Sequence, residues 1–209
     1  MKLYDYQLAP NPRRVRIFMA EKGITVPTVG VDLRAGEQFT PEFRSVNPEC
    51  TVPVLEFDDG RRIAEVIAIC VYFELAHSEP ALLGVDPQDR AIVADWHHRI
   101  ERQGFWAVGD AFRNSVAGLK GRALPGPDDY EQIPALAERG RARTLRFFEM
   151  LDRQLAGRQF VAGDRYTIAD ILALVTVDFA ARVNQAIPEG CGHLRRWHES
   201  VSARPSAAA

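Results

Sequence analysis

The stretch Asn47 to Gly60, NPECTVPVLEFDDG, decides the fold of the first part of the chain. Its apolar residues between Val52 and Phe57 predict a strand that runs into an Asp-Gly turn. Pro53 lies inside this strand, where it has no N–H to donate to a neighbouring strand. Two explanations are open: a cis Val52–Pro53 bond that turns the chain and offers the backbone of Val52 to a ligand, or a trans proline on an edge strand.

The residues around this stretch alternate between strand and helix signals. A helix is predicted over residues 12–22, with Asn11 as its N-cap and Pro12 at its first position. Strands are predicted near residues 2–6, 25–33, 52–57 and 62–64, and a second helix over 65–77. This order predicts a βαβ unit followed by a hairpin and a helix.

Helical periodicity takes over after a polar segment with two prolines, and strand signals fade. Thr167 and Asp170 have the spacing of a capping box and open a strongly apolar helix, which predicts a helix buried at the centre of a bundle. The sequence therefore predicts an α/β N-terminal domain and an all-helical second domain. The predicted ranges are 1–79 for the first domain, 80–87 for a linker and 88–209 for the second.

The composition excludes several classes of function. The chain has 209 residues, and 26 Lys and Arg against 28 Asp and Glu give a net charge of -2, so no global field attracts nucleic acid or anionic membrane. Cys50, Cys70 and Cys191 stand far apart without metal-ligand spacing, which is typical of a reducing compartment and predicts no metal site. No signal peptide or membrane span is visible. We expect a cytoplasmic protein.

Several motifs together resemble the cytosolic glutathione transferase superfamily, in particular bacterial glutathione S-transferase-like proteins. The βαβ unit, the Val52-Pro53 dipeptide before the third strand and EVIAI at residues 65–69 resemble its thioredoxin-like domain. FVAGDRYTIADI at residues 160–171 resembles its C-terminal helical domain. The resemblance covers nearly the whole chain. It implies a thioredoxin-like α/β domain plus an all-α bundle, glutathione as co-substrate, a hydrophobic electrophile as partner substrate, a homodimer and a role in detoxification.

The resemblance also assigns glutathione-binding residues. It implies a cis Pro53, with Val52 pairing with the cysteinyl backbone of glutathione, and Glu65 holding the γ-glutamyl end. Val66 replaces the serine of the family, which removes a hydroxyl donor worth about 1 kcal/mol and leaves the backbone N–H of the helix N-terminus. Gln38 takes the place of a polar side chain on the glycyl carboxylate. Glu65 as an ordinary helix residue and Gln38 as an exposed loop residue are the structural alternatives.

Activation of the sulfur is the step for which the sequence departs most from the family. Ala9 stands where many bacterial relatives place Ser, Cys or Thr. Asn11 resembles the asparagine of the Nu-class enzymes, and its NH₂ group could donate to the thiolate, so we predict it as the catalytic residue; its alternative role is to cap the helix only. Cys50 either forms a mixed disulfide with glutathione or is a small buried residue.

The resemblance implies a second-substrate pocket between the two domains, with walls from Tyr6, Ala9, Trp106 and Phe112, although such aromatics are also common in a core. The main interpretation is a glutathione transferase-like enzyme that directs the glutathione thiolate at an electrophilic small molecule. The alternatives are a glutathione-dependent disulfide reductase, similar to the Nu class, and a catalytically silent binding or regulatory protein. A maleylacetoacetate-type isomerase ranks lower, because that class carries Ser-Ser-Cys where this chain has APN.

Overall fold

The computed structural model describes all 209 residues, and the chain divides into two compact units. The N-terminal unit comprises Met1–Pro80, Leu124–Asp129 and Ala209. The helical unit comprises Ala81–Ala123 and Tyr130–Ala208. The segment 124–129, which lies in the predicted second domain, thus groups with the N-terminal unit, and the domain ranges given above remain a proposal.

The N-terminal unit is a four-stranded sheet with helices, as the thioredoxin-like prediction requires. The order of the strands is β2-β1-β3-β4; β1 and β2 are parallel, and the other two pairs are antiparallel. The elements are β1 (Lys2–Asp5), α1 (Pro10–Glu21), β2 (Thr28–Gly30), a 3₁₀ turn (Glu37–Phe39), α2 (Pro41–Val46), β3 (Val54–Glu56), β4 (Arg62–Ile63) and α3 (Val66–Ala76).

The proline of the opening motif lies just before a strand and not inside it. The Val52–Pro53 bond is cis, and β3 begins at Val54, which pairs with Tyr4 of β1. Pro53 therefore lies outside the paired part of the strand, where no hydrogen bond to a neighbouring strand requires the N–H that proline lacks. The predicted strand was two residues too long at this end, because apolar residues continue beyond the last paired one.

The start of α1 differs from the prediction. The helix begins at Pro10 with Ala9 as the N-cap residue, so Asn11 lies in the first turn and does not cap the helix. The first turn of a helix tolerates proline, because its N–H groups have no partner inside the helix in any case, so both Pro10 and Pro12 fit there. Ala9 has an extended backbone, with φ −86° and ψ 140°, which lets the helix start at the earlier proline.

The second unit is built almost entirely from helices. They pack around α7, of which twelve of thirteen residues are buried. None of the helices combines the length and the apolar character that crossing a membrane requires. The elements are α4 (Pro87–Ile100), a π-helix (Glu101–Phe105), α5 (Trp106–Arg113), a 3₁₀ turn (Ala117–Leu119), α6 (Pro134–Gln154), α7 (Ile168–Ala180), a 3₁₀ turn (Ala181–Val183), α8 (Gly192–Ser202) and a 3₁₀ turn (Pro205–Ala208).

The predicted capping box at the start of α7 is present. Asp170 is fully buried and accepts hydrogen bonds from the backbone N–H of Thr167 (3.0 Å) and of Val161 (2.9 Å). Its carboxylate also accepts a bond from the indole N–H of Trp197 on α8 (3.0 Å). One carboxylate thus joins the start of α7, the segment before it and the last long helix.

Two glycines let helices of this unit approach closely. A Cβ atom at Gly104 in the π-helix would lie 2.6 Å from the ring of Phe147 on α6. A Cβ atom at Gly140 on α6 would lie 2.6 Å from the backbone oxygen of Ala107 on α5. Any larger residue at either position would force α6 away from the helix that it packs against.

Candidate functional site

The start of α3 carries backbone donors that nothing in the chain uses. The N–H groups of Val66, Ile67 and Ala68 have no hydrogen-bond partner, and the first satisfied amide is that of Ile69, which donates to the carbonyl of Glu65 (3.0 Å). The helix is eleven residues long, so its dipole adds positive potential at this end. Three converging amides at a helix N-terminus form a binding site for a carboxylate.

Glu65 stands at the N-cap position of α3 without acting as a cap. Its side chain makes no hydrogen bond to the helix amides, and the residue is exposed. Glutamate is also not among the preferred N-cap residues, which are Ser, Thr, Asp and Asn. Its carboxylate is therefore available to a cation or an N–H donor from outside. The next side chain, that of Val66, is buried, which leaves only its backbone N–H for a ligand.

The chain before β3 offers a second set of backbone groups. Neither the N–H nor the C=O of Val52 has a partner, whereas the neighbouring carbonyl of Thr51 accepts a bond from the side chain of Asn47 (2.9 Å). The side chain of Val52 is buried in one apolar cluster against which Tyr6 and Ala64 also pack. Because Ala64 directly precedes Glu65, this cluster brings Val52 and the start of α3 together.

Gln38 is buried, and not exposed as its predicted loop position suggested. It lies in the 3₁₀ turn, is 6 % exposed, and its side-chain oxygen has no hydrogen-bond partner. A buried polar atom without a partner costs free energy unless a ligand or water satisfies it. A peptide ligand carries both N–H and carboxylate groups, so it can satisfy this amide in either orientation.

The start of α1 is a poorer donor than the start of α3. Pro10 and Pro12 have no N–H, so Asn11 holds the one unsatisfied amide of the first turn. The side-chain oxygen of Asn11 accepts a hydrogen bond from the buried guanidinium of Arg14 (3.0 Å). This bond directs the Asn11 NH₂ group away from Arg14, where it has no acceptor. The contribution of Arg14 was not found from the sequence, although an arginine three residues after an asparagine on a helix is a detectable signal.

The cysteines are all buried and unpaired. Burial raises the pKa of Cys70 to about 12, so this thiol is not a nucleophile. Cys50 has a left-handed backbone (φ 53°), and its sulfur contacts the carbonyl of Pro48 (3.4 Å). Its burial favours the small-residue interpretation over a mixed disulfide. No group of three or more His, Cys, Asp or Glu side chains is arranged to hold a metal ion.

The residues predicted for the second-substrate pocket lie in both units. Tyr6 and Ala9 are half-buried in the N-terminal unit, and in the helical unit Trp106 is 51 % exposed and Phe112 is half-buried. The ring of Phe112 packs against that of Phe179 on α7 at 5.1 Å. Phe179 was not among the predicted residues, because the apolar pattern of α7 marks all its positions as core.

Comparisons with known proteins show which family the chain is similar to. Residues 9–76 match the family description "Glutathione S-transferase, N-terminal domain", and residues 121–205 match "Glutathione S-transferase, C-terminal domain". Glutathione S-transferase 2 of Saccharomyces cerevisiae is 36% identical over 99% of this chain and 87% of the relative. Disulfide-bond oxidoreductase YfcG of Escherichia coli is 25% identical over 98% of this chain and 92% of the relative.

A solved structure extends the match to three dimensions. A glutathione S-transferase domain-containing protein from Marinobacter aquaeolei superposes with a TM-score of 0.90, at 41% sequence identity, over 99% of each chain. The predicted fold class, a thioredoxin-like α/β domain with a helical domain, is confirmed by this likeness. The family models, the full-length relative and the shared architecture agree, and the chain belongs to the glutathione S-transferase family.

Proposed function

We propose that this protein is a glutathione transferase that binds glutathione on the N-terminal unit, holds its sulfur as a thiolate and directs it at an electrophilic small molecule. The observation that carries the proposal is the start of α3, where three amides without partners adjoin the carboxylate of Glu65. A γ-glutamyl group carries one carboxylate and one ammonium on the same carbon. The amides suit the carboxylate, and Glu65 suits the ammonium.

The remaining glutathione contacts follow from the groups that the fold leaves without partners. The N–H and C=O of Val52 suit the cysteinyl backbone of glutathione in an antiparallel pairing, and Gln38 suits the glycyl end. Pro53 lies between Val52 and the first residue of β3. Each of these residues supplies a backbone group or an amide, so the ligand is recognised mainly by its peptide character.

The chemistry that the site must supply is deprotonation of the glutathione thiol, whose pKa is about 8.5 in water. The NH₂ group of Asn11 can donate to the thiolate, and the Arg14 guanidinium bound to its oxygen polarises the amide and holds it in place. The thiol proton leaves to solvent. The thiolate then forms a C–S bond with the electrophilic carbon, and a leaving group departs with its electron pair where the electrophile carries one.

A second candidate reaction is reduction of a disulfide by two glutathione molecules. It is favoured by Asn11 and by the similarity to a protein named disulfide-bond oxidoreductase. In this reaction the thiolate attacks one sulfur of the substrate disulfide and expels the other as a thiolate. A second glutathione then displaces the substrate sulfur, which leaves oxidised glutathione and two substrate thiols.

We also propose a cytoplasmic homodimer that acts in detoxification of hydrophobic electrophiles. Along α3, Ile67, Val71 and Leu75 follow one another at intervals of four residues and are 38%, 38% and 76% exposed. Such an apolar stripe is typical of an interface between protein chains. Sedimentation should give a dimer for the wild type and a monomer for Val71→Glu, whereas a dimeric Val71→Glu variant would exclude this surface as the interface.

The proposed activity is tested by titration calorimetry with glutathione, followed by a pH titration of thiolate absorbance in the bound complex. We expect binding at or below millimolar concentration and a bound thiol with a pKa below about 8.5. Asn11→Ala should bind glutathione but raise the pKa of the bound thiol by about 1 unit, through loss of one hydrogen bond to the charged sulfur. No binding by the wild type would favour the silent binding protein, and an unchanged pKa in Asn11→Ala would exclude Asn11 from catalysis.

A further inference from the structure

Arg113, the last residue of α5, is a half-buried cation without an acidic partner. Its Nε atom is buried, and its guanidinium forms neither a hydrogen bond nor an ion pair with another residue. The carboxylate one turn earlier on the helix, that of Asp110, pairs instead with Arg143 (3.4 Å) and Arg139 (3.8 Å) of α6. A buried polar group without a partner costs free energy. The charge of Arg113 is therefore not compensated by the chain.

The loop after α5 brings a second arginine to the same place. The side-chain NH₂ of Gln132 donates to the carbonyls of Arg113 (2.7 Å) and Val116 (2.9 Å), which holds the loop on the end of the helix. A backbone bridge between Arg122 and Tyr130 then closes the loop on itself. Burial, and next the positive charge of Arg122, lower the pKa of Arg113. The two guanidinium groups are thus close enough to repel each other.

We propose that Arg113 and Arg122 together bind a phosphate group. A basic residue in the last turn of a helix interacts favourably with the helix dipole, which accounts for Arg113 but not for a second arginine beside it. Guanidinium groups donate paired N–H bonds to phosphate oxygens, and a phosphate dianion compensates both charges. One nitrogen of Arg122 donates to the carbonyl of Gly118 (3.1 Å), and this bond orients the side chain.

The ligand of this site is an anion and not an apolar electrophile, and Arg113, Arg122 and Gln132 all belong to the helical unit. The inference therefore goes beyond the proposed transferase activity and does not depend on it. The test uses no glutathione, so a failure of the proposed function leaves its result unchanged.

The test follows thermal unfolding in sodium phosphate and in sodium chloride at equal ionic strength. We expect phosphate to raise the unfolding temperature of the wild type by about 3 °C at about ten times its dissociation constant. Arg113→Met, which keeps a long side chain but removes the charge, should lose this rise. Arg146→Met is the matched control, because it removes the same charge from an exposed position on α6 and should keep the rise.

A second readout distinguishes a phosphate site from a structural arginine. In chloride alone, Arg113→Met should unfold at the temperature of the wild type or above it, because the variant removes an uncompensated charge that Arg122 repels. A lower unfolding temperature of Arg113→Met in chloride would show that the folded chain uses this charge, and would overturn the inference.

The other outcomes are equally decisive. An equal rise in wild type and Arg113→Met would mean that phosphate acts only by its exclusion from the protein surface, and would overturn the inference. An equal rise of the wild type in sodium acetate would overturn the assignment to phosphate. If Arg113→Met does not fold, Arg122→Met should lose the rise in its place, and a retained rise counts against the site.

Glycerol 2-phosphate separates the two sources of a phosphate group. A rise equal to that in inorganic phosphate would assign the site to phosphorylated small molecules, and a rise in inorganic phosphate alone would assign it to the free ion. A failure of both compounds to raise the unfolding temperature of the wild type above that of Arg113→Met would overturn the inference.

Discussion

Helices α3 and α7 begin in opposite ways. At the start of α7, the backbone N–H of Thr167 donates to the carboxylate of Asp170, and the N–H of Ile168 donates to the carbonyl of Leu82 (3.0 Å). At the start of α3, three successive amides have no partner, and Glu65 does not turn back to cap them. Both ends favour a negative charge for the same reason, the helix dipole and its unsatisfied donors. In α7 the carboxylate of Asp170 supplies that charge, whereas at the start of α3 no side chain accepts a hydrogen bond from the free amides.

This difference indicates that the carboxylate at the start of α7 has a structural role, whereas the start of α3 can bind the carboxylate of a ligand. Asp170 is buried and makes hydrogen bonds to three separate segments, so its loss affects folding. Glu65 is exposed and bonds to none of the helix amides, so its loss should affect binding alone. The first turn of α1 offers a ligand fewer donors than that of α3, because Pro10 and Pro12 lack the N–H groups that two other residues would supply there.

The largest effect expected is that of Asp170→Ala on stability. The substitution leaves the N–H groups of Val161, Thr167 and Trp197 buried without an acceptor, at about 1 to 3 kcal/mol for each group. We expect the free energy of unfolding to fall by about 4 kcal/mol or more, as measured by urea denaturation. Asp95→Ala is the control, since Asp95 forms an exposed pair with Arg99 (2.8 Å) and should change stability by less than about 0.5 kcal/mol. A loss for Asp170→Ala similar to that of the control would contradict the structural role.

The second effect is a dependence of stability on pH. Burial raises the pKa of Asp170 to about 6 from its ordinary value of 3.8, and the hydrogen bonds that it accepts oppose this shift. The folded state thus binds the proton more tightly than the unfolded state, so the contribution of this group is complete below pH 4 and is lost as the pH rises through 6. The shift corresponds to about 3 kcal/mol. Unfolding of wild type and Asp170→Asn, followed by tryptophan fluorescence from pH 4 to 7, should show the decline in the wild type alone.

A carboxylate of the N-terminal unit provides the control for this pH range. Hydrogen bonds from Arg62 and then Lys2 lower the pKa of Glu56 to about 2. Its contribution to stability is present above pH 4.5 and is lost as the pH falls towards 2. Glu56→Gln should therefore alter the acid side of the profile and leave the difference between pH 5 and 7 unchanged. A parallel decline in wild type and Asp170→Asn would show that another group titrates.

The third effect concerns the open helix end. Glu65→Ala should weaken glutathione binding by about 2 kcal/mol, or roughly thirtyfold, because a hydrogen bond to a charged group is lost. The free energy of unfolding should change by less than about 0.5 kcal/mol, since the side chain is exposed and does not cap the helix. Glu42→Ala in the first turn of α2 is a matched control and should bind like the wild type. Loss of stability in Glu65→Ala without loss of glutathione affinity would mean that Glu65 has a structural role, as Asp170 has in α7, and would contradict the proposed site.

Much of this comparison could be predicted from the sequence, because it depends on residues close together in the chain. The capping spacing of Thr167 and Asp170, the position of Glu65 before an apolar helix and the dipeptide before β3 are all local patterns. The start of α1 could not be predicted, since Pro10 and Pro12 are equally suitable as a first helical residue. In the structure the extended backbone of Ala9 precedes a helix that begins at Pro10.

The features that the sequence did not predict depend on residues far apart in the chain. Burial of Gln38 depends on how its turn packs, and nothing in its immediate sequence differs from an exposed loop. The packing reason for Gly104 is the ring of Phe147 on another helix.

The smallest effect tests whether α3 can be made a better anion site. Val66→Ser restores the hydroxyl donor that the family places at the first turn, and glutathione affinity should rise by about 1 kcal/mol, or fivefold. The valine is buried, so removal of its methyl groups should lower the free energy of unfolding by roughly 1 kcal/mol. Val66→Ala loses the same packing without gaining a hydroxyl and is the matched control. Calorimetry that gives equal affinities for the serine and alanine variants would mean that the hydroxyl does not contact the ligand and that the backbone amides at the start of α3 bind it without help from this side chain.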